Sequence, residues 1–302
     1  MRFGFAIPAY GSHANGPEVR DLLVAGDELG FDSAWFPDHI AVPDYAAAMN
    51  LPPPFLEPLS ACAWGLGITS RLRMGTDVLV APYRHPLLVA AMTGTLGRLA
   101  GDRLILGVGI GYLRGEFDVL GTAPYERRAK VTDEFLRIQR SAPEGYSVVL
   151  PPRPVPLWVG GNAVAAQRRA ALLGDGWHPL WMSDGAYGQA RQHILKLRTA
   201  AGMAGPFTFS YSCGATRLAS RPSTSWPPPP ARAPRESEFH YAPETWVDVN
   251  NRPRFVGTAD QLIADFRLLE AAGVDHVTLR FGSTDVGDLE RFATEVQPAF
   301  LT

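Results

Sequence analysis

The chain has 302 residues, of which 46% are hydrophobic and 19% are charged, so it is long enough to bury a large core and to form one α/β barrel of about 250 residues. Its net charge of −2 and pI near 6.4 argue against a nucleic-acid or membrane-surface partner. There is no signal-peptide pattern after Met1 and no apolar run of about 18 residues, which predicts a cytoplasmic protein with no membrane span.

Short apolar segments alternate with amphipathic segments along the chain. The apolar segments predict strands at 3–7, 32–36, 74–80, 104–108, 157–159, 176–179, 207–213 and 276–281. The amphipathic segments predict helices at 17–29, 57–66, 86–99, 124–140, 163–173, 186–201, 258–272 and 286–300. Thr258 and Gln261 fit a capping box at the start of one of them. The alternation favours a single (β/α)8 TIM barrel over residues 1–302, and the alternative is a doubly wound open sheet.

One proline-rich stretch interrupts this alternation. Residues 220–235 read SRPSTSWPPPPARAPR, which predicts polyproline II or disorder within an irregular insertion at about 217–253. The insertion follows the seventh strand, so in a barrel it belongs to the loops of the active face. It is either a tolerated surface insertion or a lid from which Trp226 and Trp246 reach a bound molecule.

Glycines cluster at the ends of two predicted strands. Gly107, Gly109 and Gly111 follow one strand, and the sequence Gly160-Gly161-Asn162 follows another. The first set is not a dinucleotide fingerprint, because Tyr112 occupies the place of its third glycine. One interpretation is tight turns in a crowded barrel. The other, which we prefer, is that backbone N–H groups here face a cofactor and its phosphate.

Polar side chains also end predicted strands. Asp38 and His39 follow the second strand and His178 ends the sixth, so both histidines are candidates for proton transfer at the ligand face. Arg84 and His85 begin a helix and either meet an anion or pack at the helix start. No histidine spacing indicates a metal site, and no Gly-x-Ser-x-Gly elbow indicates an α/β-hydrolase. The two cysteines, at positions 62 and 213, predict core thiols.

Five segments together resemble the bacterial luciferase-like monooxygenase family, and within it the branch of F420-dependent oxidoreductases. The segments are FGFAIP, LGFDSAWFPDHI, LRMGTDVLVAPYRHPLLVAAMTGTLGRLAGDRLILGVGIGYLRGEF, PLWVGGNAVAAQRRAALLGDGWHP and GTADQLIADFRLLEAAGVDHVTL. The resemblance covers most of the chain but not 141–153 or the proline-rich insertion. It implies a TIM barrel, usually a homodimer, that binds a deazaflavin or flavin at the carboxyl ends of its strands.

The resemblance also implies roles for individual residues. Asp38 and His39 match a pair beside the deazaflavin ring, and Asp77 and Val78 match a non-prolyl cis peptide behind it. A turn near the ribityl chain is matched by Gly107, Gly109 and Gly111. The phosphate-binding backbone is matched by Gly160, Gly161 and Asn162. Tyr112 stands where the sugar-phosphate dehydrogenases of the family carry glutamate. Sugar-phosphate oxidation is therefore not expected, because a phenol with a pKa of about 10 does not replace a carboxylate.

Three functions are compatible with these features. The first is an F420-dependent oxidoreductase that transfers a hydride to or from a small organic substrate, with His39, Tyr112 or His178 handling the coupled proton. The second is an FMN-dependent monooxygenase supplied with reduced flavin by a separate reductase. The third is a non-catalytic flavin or deazaflavin binding protein.

Overall fold

The computed structural model describes residues 1–44, 52–141, 144, 153–220 and 254–301. Parallel strands close into an eight-stranded barrel, in which the third barrel strand is divided into β3 and β4. The strands are β1 (Arg2–Ala6), β2 (Ser33–Phe36), β3 (Arg73–Thr76), β4 (Leu79–Val80), β5 (Leu104–Gly109), β6 (Leu157–Gly160), β7 (Gly176–His178), β8 (Thr208–Ala215), β9 (Arg217–Leu218), β10 (Val256–Gly257) and β11 (His276–Arg280). β1 pairs with both β2 and β11, and β3 pairs with β5, so the predicted TIM barrel is confirmed.

Helices surround the barrel. They are α1 (Gly16–Glu28), α2 (Pro58–Ile68), α3 (Pro86–Ala100), α4 (Arg114–Leu120), α5 (Arg128–Ile138), α6 (Val164–Leu173), α7 (Asp184–Ala200), α8 (Ala259–Ala271) and α9 (Val286–Glu295). The predicted capping box of Thr258 and Gln261 is present at the start of α8. None of the described helices has both the length and the apolar character that a bilayer span needs.

Two helix predictions need correction. Hydrophobic periodicity does not predict α4, because the seven residues of this helix are too few to show a helical period. The helix predicted at 124–140 begins instead as a 3-10 turn at Tyr125–Arg127 and is α-helical only over Arg128–Ile138.

Two tryptophans fill the middle of the barrel. A Cβ atom on Gly75 would lie 2.4 Å from Cε3 of Trp35, and one on Gly176 would lie 2.6 Å from Cδ1 of Trp158. The ring of His178 stacks on Trp35 with a centroid separation of 4.8 Å. Small residues on the strands therefore make room for large rings inside, and any ligand site is confined to the carboxyl end of the barrel.

The layer between the strands and the helices is apolar. Phe3 on β1 packs edge-to-face against Phe266, Phe292 and Phe300, with ring centroids 5.1–5.3 Å apart. Cys62 and Cys213 are free and buried, as predicted, and burial raises the pKa of each thiol. Such thiols are unreactive.

The predicted insertion at about 217–253 begins with a regular strand, β9, which pairs with β10 just after its end. β9 and β10 pair in parallel, so the chain leaves at Leu218 and returns at Val256 beside the same place. Residues 221–253, with Trp226 and Trp246, lie outside the described residues.

Candidate active site

Asp77 lies at the carboxyl end of the barrel and reaches across it. The peptide bond between Asp77 and Val78 is cis, as the family resemblance implied, and it separates β3 from β4. The Asp77 carboxylate accepts hydrogen bonds from His178 Nε2 at 3.0 Å, from Ser212 Oγ at 3.4 Å and from the guanidinium of Arg280. Burial alone would raise the pKa of Asp77, but Arg280 and His178 hold it below its ordinary value. One carboxylate thus ties the third barrel strand to three strands opposite.

Val78 fills the space between the ends of β5 and β6. A Cβ atom on Gly109 would lie 2.4 Å from Val78 Cγ2, and one on Gly160 would lie 2.9 Å from Val78 Cγ1. Gly107 is similarly close to the backbone of the third strand, since a Cβ atom there would lie 2.0 Å from the Thr76 carbonyl oxygen. The packing interpretation therefore accounts for these three glycines whether or not their N–H groups meet a cofactor.

Gly111 is held by packing as well as by its backbone conformation. Its φ is +76°, and a Cβ atom there would lie 2.6 Å from Val80 Cγ1. The turn after β5 is therefore closely fitted to the protein itself, and Tyr112 follows directly.

The chain after β6 is fastened to the loop after β7. The Asn162 side chain donates to the Leu180 carbonyl at 2.6 Å and accepts from the Leu180 amide at 3.0 Å. Gly161 has φ of +106°. The N-cap residue Ala163 provides no side-chain hydrogen bond to the first amides of α6, at Val164 and Ala165, and a helix start of this kind suits an anion.

Asp38 forms a buried ion pair at the base of the site. Its carboxylate accepts from Arg84 Nη1 at 2.6 Å, Arg84 Nη2 at 2.8 Å and the Val80 amide at 2.7 Å. Arg84 also donates to Glu57 at 2.8 Å. Burial raises the pKa of Asp38, and Arg84 opposes that shift. Arg84 is thus held by two carboxylates, which favours the packing interpretation over an anion site.

His39 lies at the mouth with both ring nitrogens near polar partners. Its side chain is 10% exposed. Nδ1 is 2.8 Å from Glu116 Oε2, and Nε2 is 3.4 Å from the Tyr112 hydroxyl. The Phe55 ring packs against the imidazole with centroids 4.8 Å apart. The structure thus brings together two of the three predicted proton-handling residues.

Glu116 is a buried residue of this site that is not among the residues predicted from the sequence. Its Oε1 accepts from the Ile40 amide at 2.7 Å and the Ala41 amide at 3.2 Å, and its Oε2 accepts from the Tyr83 hydroxyl at 3.0 Å. Burial would raise the pKa of Glu116, but His39 and the two amides outweigh it and lower that pKa. In the sequence Glu116 is marked only as an acidic residue beside Phe117, between the predicted strand at 104–108 and the predicted helix at 124–140.

His178, the third predicted proton-handling residue, lies below the mouth. It is buried. Nδ1 is 2.6 Å from Ser210 Oγ, and Nε2 bonds Asp77. Because both nitrogens are engaged inside the barrel, His178 acts on the site through Asp77. Among the described residues there is also no group of three metal-binding side chains.

The sequence model of the luciferase-like monooxygenase family matches residues 1–225. This chain belongs to that family. An uncharacterised protein of Mycobacterium tuberculosis is 32% identical over 213 residues, which are 62% of this chain and 73% of that protein. An F420-dependent glucose-6-phosphate dehydrogenase of Nakamurella multipartita is 31% identical over 200 residues, covering 59% of this chain and 55% of that enzyme.

Solved structures share the whole luciferase-like fold. An F420-dependent secondary alcohol dehydrogenase in complex with an F420-acetone adduct has a TM-score of 0.71 and 18% identity, covering 100% of this chain and 99% of the other. A second similar structure is the oxygenating constituent of 3,6-diketocamphane monooxygenase from Pseudomonas putida, in complex with FMN. Its TM-score is 0.69 and its identity is 15%, and the match covers 100% of this chain and 99% of the other. At these identities the likeness shows the fold alone.

Proposed function

We propose that this luciferase-like protein is an F420-dependent oxidoreductase acting on a small organic substrate at the mouth of the barrel. The observation that carries the proposal is the His39–Tyr112 pair at that mouth, backed by the buried Glu116 carboxylate. The preference for F420 is supported by curated relatives that are named F420-dependent dehydrogenases at 31–32% identity.

The donors around the mouth fit a flat heterocycle with a phosphorylated side chain. Arg280 Nε is buried and has no hydrogen-bond partner among the described residues, so it can serve an acceptor at the ring edge. Val78 offers an apolar surface behind the ring. The uncapped start of α6, at Val164 and Ala165, suits a phosphate. A bound deazaflavin supplies the hydride chemistry.

The chain's own residues supply proton transfer and placement. His39 exchanges the substrate proton at Nε2, beside the Tyr112 hydroxyl. Asp38 and Asp77 are positioning residues, since their carboxylates are occupied by arginines. His178 fixes Asp77 from below.

A side-by-side titration with F420 and FMN tests the cofactor. We expect F420 to bind and its absorbance to shift, with much weaker binding of oxidised and reduced FMN. Tight binding of reduced FMN with no response to F420 would refute the proposal and favour the FMN-dependent monooxygenase that needs a separate reductase. Oxygen uptake during turnover would point the same way.

We also propose a homodimer, formed through α2 and α3. The 11 residues of α2 include no charged side chain, and α3 carries only Arg98. Trp64, Leu88 and Leu99 on these helices are 40–80% exposed. A second copy would cover this apolar face, whose two helices carry the single charged residue Arg98, with the same face of its own.

A further inference from the structure

We propose that Glu116 is a positioning residue that fixes His39 in the tautomer with hydrogen on Nδ1, so that the lone pair of Nε2 faces Tyr112 and the substrate. The proton-transfer role of Nε2 rests on the proposed function. The tautomer itself does not, because it follows from contacts within the protein.

The contacts of Glu116 leave one assignment for the hydrogen between it and His39. An ionised carboxylate only accepts hydrogen bonds. The Ile40 and Ala41 amides both point at Oε1, and they can only donate. Oε2 then has the Tyr83 hydroxyl at 3.0 Å and His39 Nδ1 at 2.8 Å. For the second contact to be a hydrogen bond, Nδ1 must carry the hydrogen.

Tyr83 supports the same assignment. Burial and the neighbouring Glu116 carboxylate raise the pKa of Tyr83 far above its ordinary value, so its hydroxyl keeps its hydrogen and donates. Glu116 therefore accepts from four donors, and its charge is satisfied without a proton of its own. A charge-assisted hydrogen bond of this kind favours one tautomer by roughly tenfold or more.

The tautomer determines which nitrogen of His39 can accept a proton from the substrate. In the neutral ring Nε2 is an acceptor, and the Tyr112 hydroxyl lies 3.4 Å from it. A proton released by the substrate, directly or through Tyr112, would therefore be taken up at Nε2. The resulting imidazolium would lie 2.8 Å from the buried carboxylate, which stabilises that charge.

The test is ¹⁵N NMR of the seven histidines, recorded without cofactor at a pH of about 8.5, above the ordinary histidine pKa of about 6.5. His39→Asn assigns the His39 signals by their loss. In the wild-type protein we expect a protonated, pyrrole-type Nδ1 and a bare, pyridine-type Nε2. With the signals assigned in this way, wild-type His39 carrying its hydrogen on Nε2 overturns the proposal, whatever the Glu116 variants show.

Two variants distinguish the effect of Glu116 on the His39 tautomer from effects that any surface Glu→Gln substitution could have. In Glu116→Gln the side chain can donate as well as accept, so we expect the Nε2–H form of His39 to appear. Glu18→Gln is the matched control, because Glu18 contacts His13 Nδ1 at 2.9 Å on the surface and should leave His39 unchanged. An unchanged tautomer in folded Glu116→Gln would also overturn the proposal. Failure of F420 to bind would instead count against the proposed function and leave this result intact.

Discussion

Asp77 and Arg280 form an ion pair across the mouth of the barrel, joining the third barrel strand to the eighth. Arg280 is the last residue of β11, and Ser212 on β8 also accepts from its Nη2, at 3.2 Å. The Asp77 side chain is 8% exposed and that of Arg280 is 29% exposed. The pair therefore forms part of the floor on which a ligand at the mouth would rest.

Replacing Arg280 should be costly, because it leaves a buried carboxylate without its cation. We expect Arg280→Gln to lower the free energy of unfolding by about 3 kcal/mol, measured by urea denaturation. The control is Arg20→Gln, since Arg20 pairs with Asp21 at 3.4 Å on the surface and should cost less than about 1 kcal/mol. Equal losses in the two variants would contradict the prediction.

Val78 and Gly109 predict a paired substitution. Gly109→Ala would place a methyl group 2.4 Å from Val78 Cγ2, and overpacking of this kind typically costs about 1–3 kcal/mol. Adding Val78→Ala should recover at least about 1 kcal/mol through coupling of the two sites. Gly188→Ala on α7 is the control, because apart from its chain neighbours and the nearby backbone of its own helix no atom lies within 4 Å of the added carbon. Additive losses in the double variant, measured by denaturation, would show that the contact does not limit packing here.

The sequence predicts the barrel well because each strand and helix is recognised from residues that are close together along the chain. Each strand and its following helix are recognised within about 20 residues by hydrophobic periodicity. The third strand shows the limit of this method. Its apolar run predicts one strand at 74–80, whereas the structure divides it at Asp77 and Val78. Periodicity alone gives no sign of that division, and only the family resemblance places it.

The site is harder to predict because its contacts are distant in sequence. His39 and Glu116 are separated by 77 positions, and Asp77 and Arg280 by 203. His39 and Asp38 can be identified from their position at the end of a strand. Only the closed barrel shows that Glu116 forms a hydrogen bond with His39 and that Arg84 forms an ion pair with Asp38. It also shows that His178, another strand-end histidine, lies below the mouth.

His276 makes stability depend on pH. It is buried inside the barrel, with Nε2 2.8 Å from Ser33 Oγ and 3.3 Å from Asp32 Oδ2. Burial outweighs the attraction of Asp32 and lowers the pKa of His276 from 6.5 to about 4. The unfolded chain therefore binds this proton before the folded chain does, so the free energy of unfolding falls as the pH drops from about 6.5 to about 4, by roughly 3 kcal/mol in total.

Denaturation at a series of pH values measures this slope. His276→Asn should flatten the profile between about pH 6.5 and 4, where the ordinary histidine titrates and the buried one does not. The pKa of Asp32 is also lowered, so most of its contribution is lost below about pH 4, at the lower edge of this window. An identical slope in the wild type and in His276→Asn would show that His276 is not the source.

The face formed by α2 and α3 predicts the state of assembly. We expect light scattering to give twice the 32.8 kDa chain mass for the wild type. Trp64→Lys or Leu99→Lys should return the protein to the single-chain mass, since burying an unpaired ammonium in an apolar interface is costly. Leu268→Lys on α8 is the matched control, because Leu268 is 52% exposed but lies on another helix. A wild-type monomer, or dissociation caused equally by Leu268→Lys, would refute this assignment of the interface.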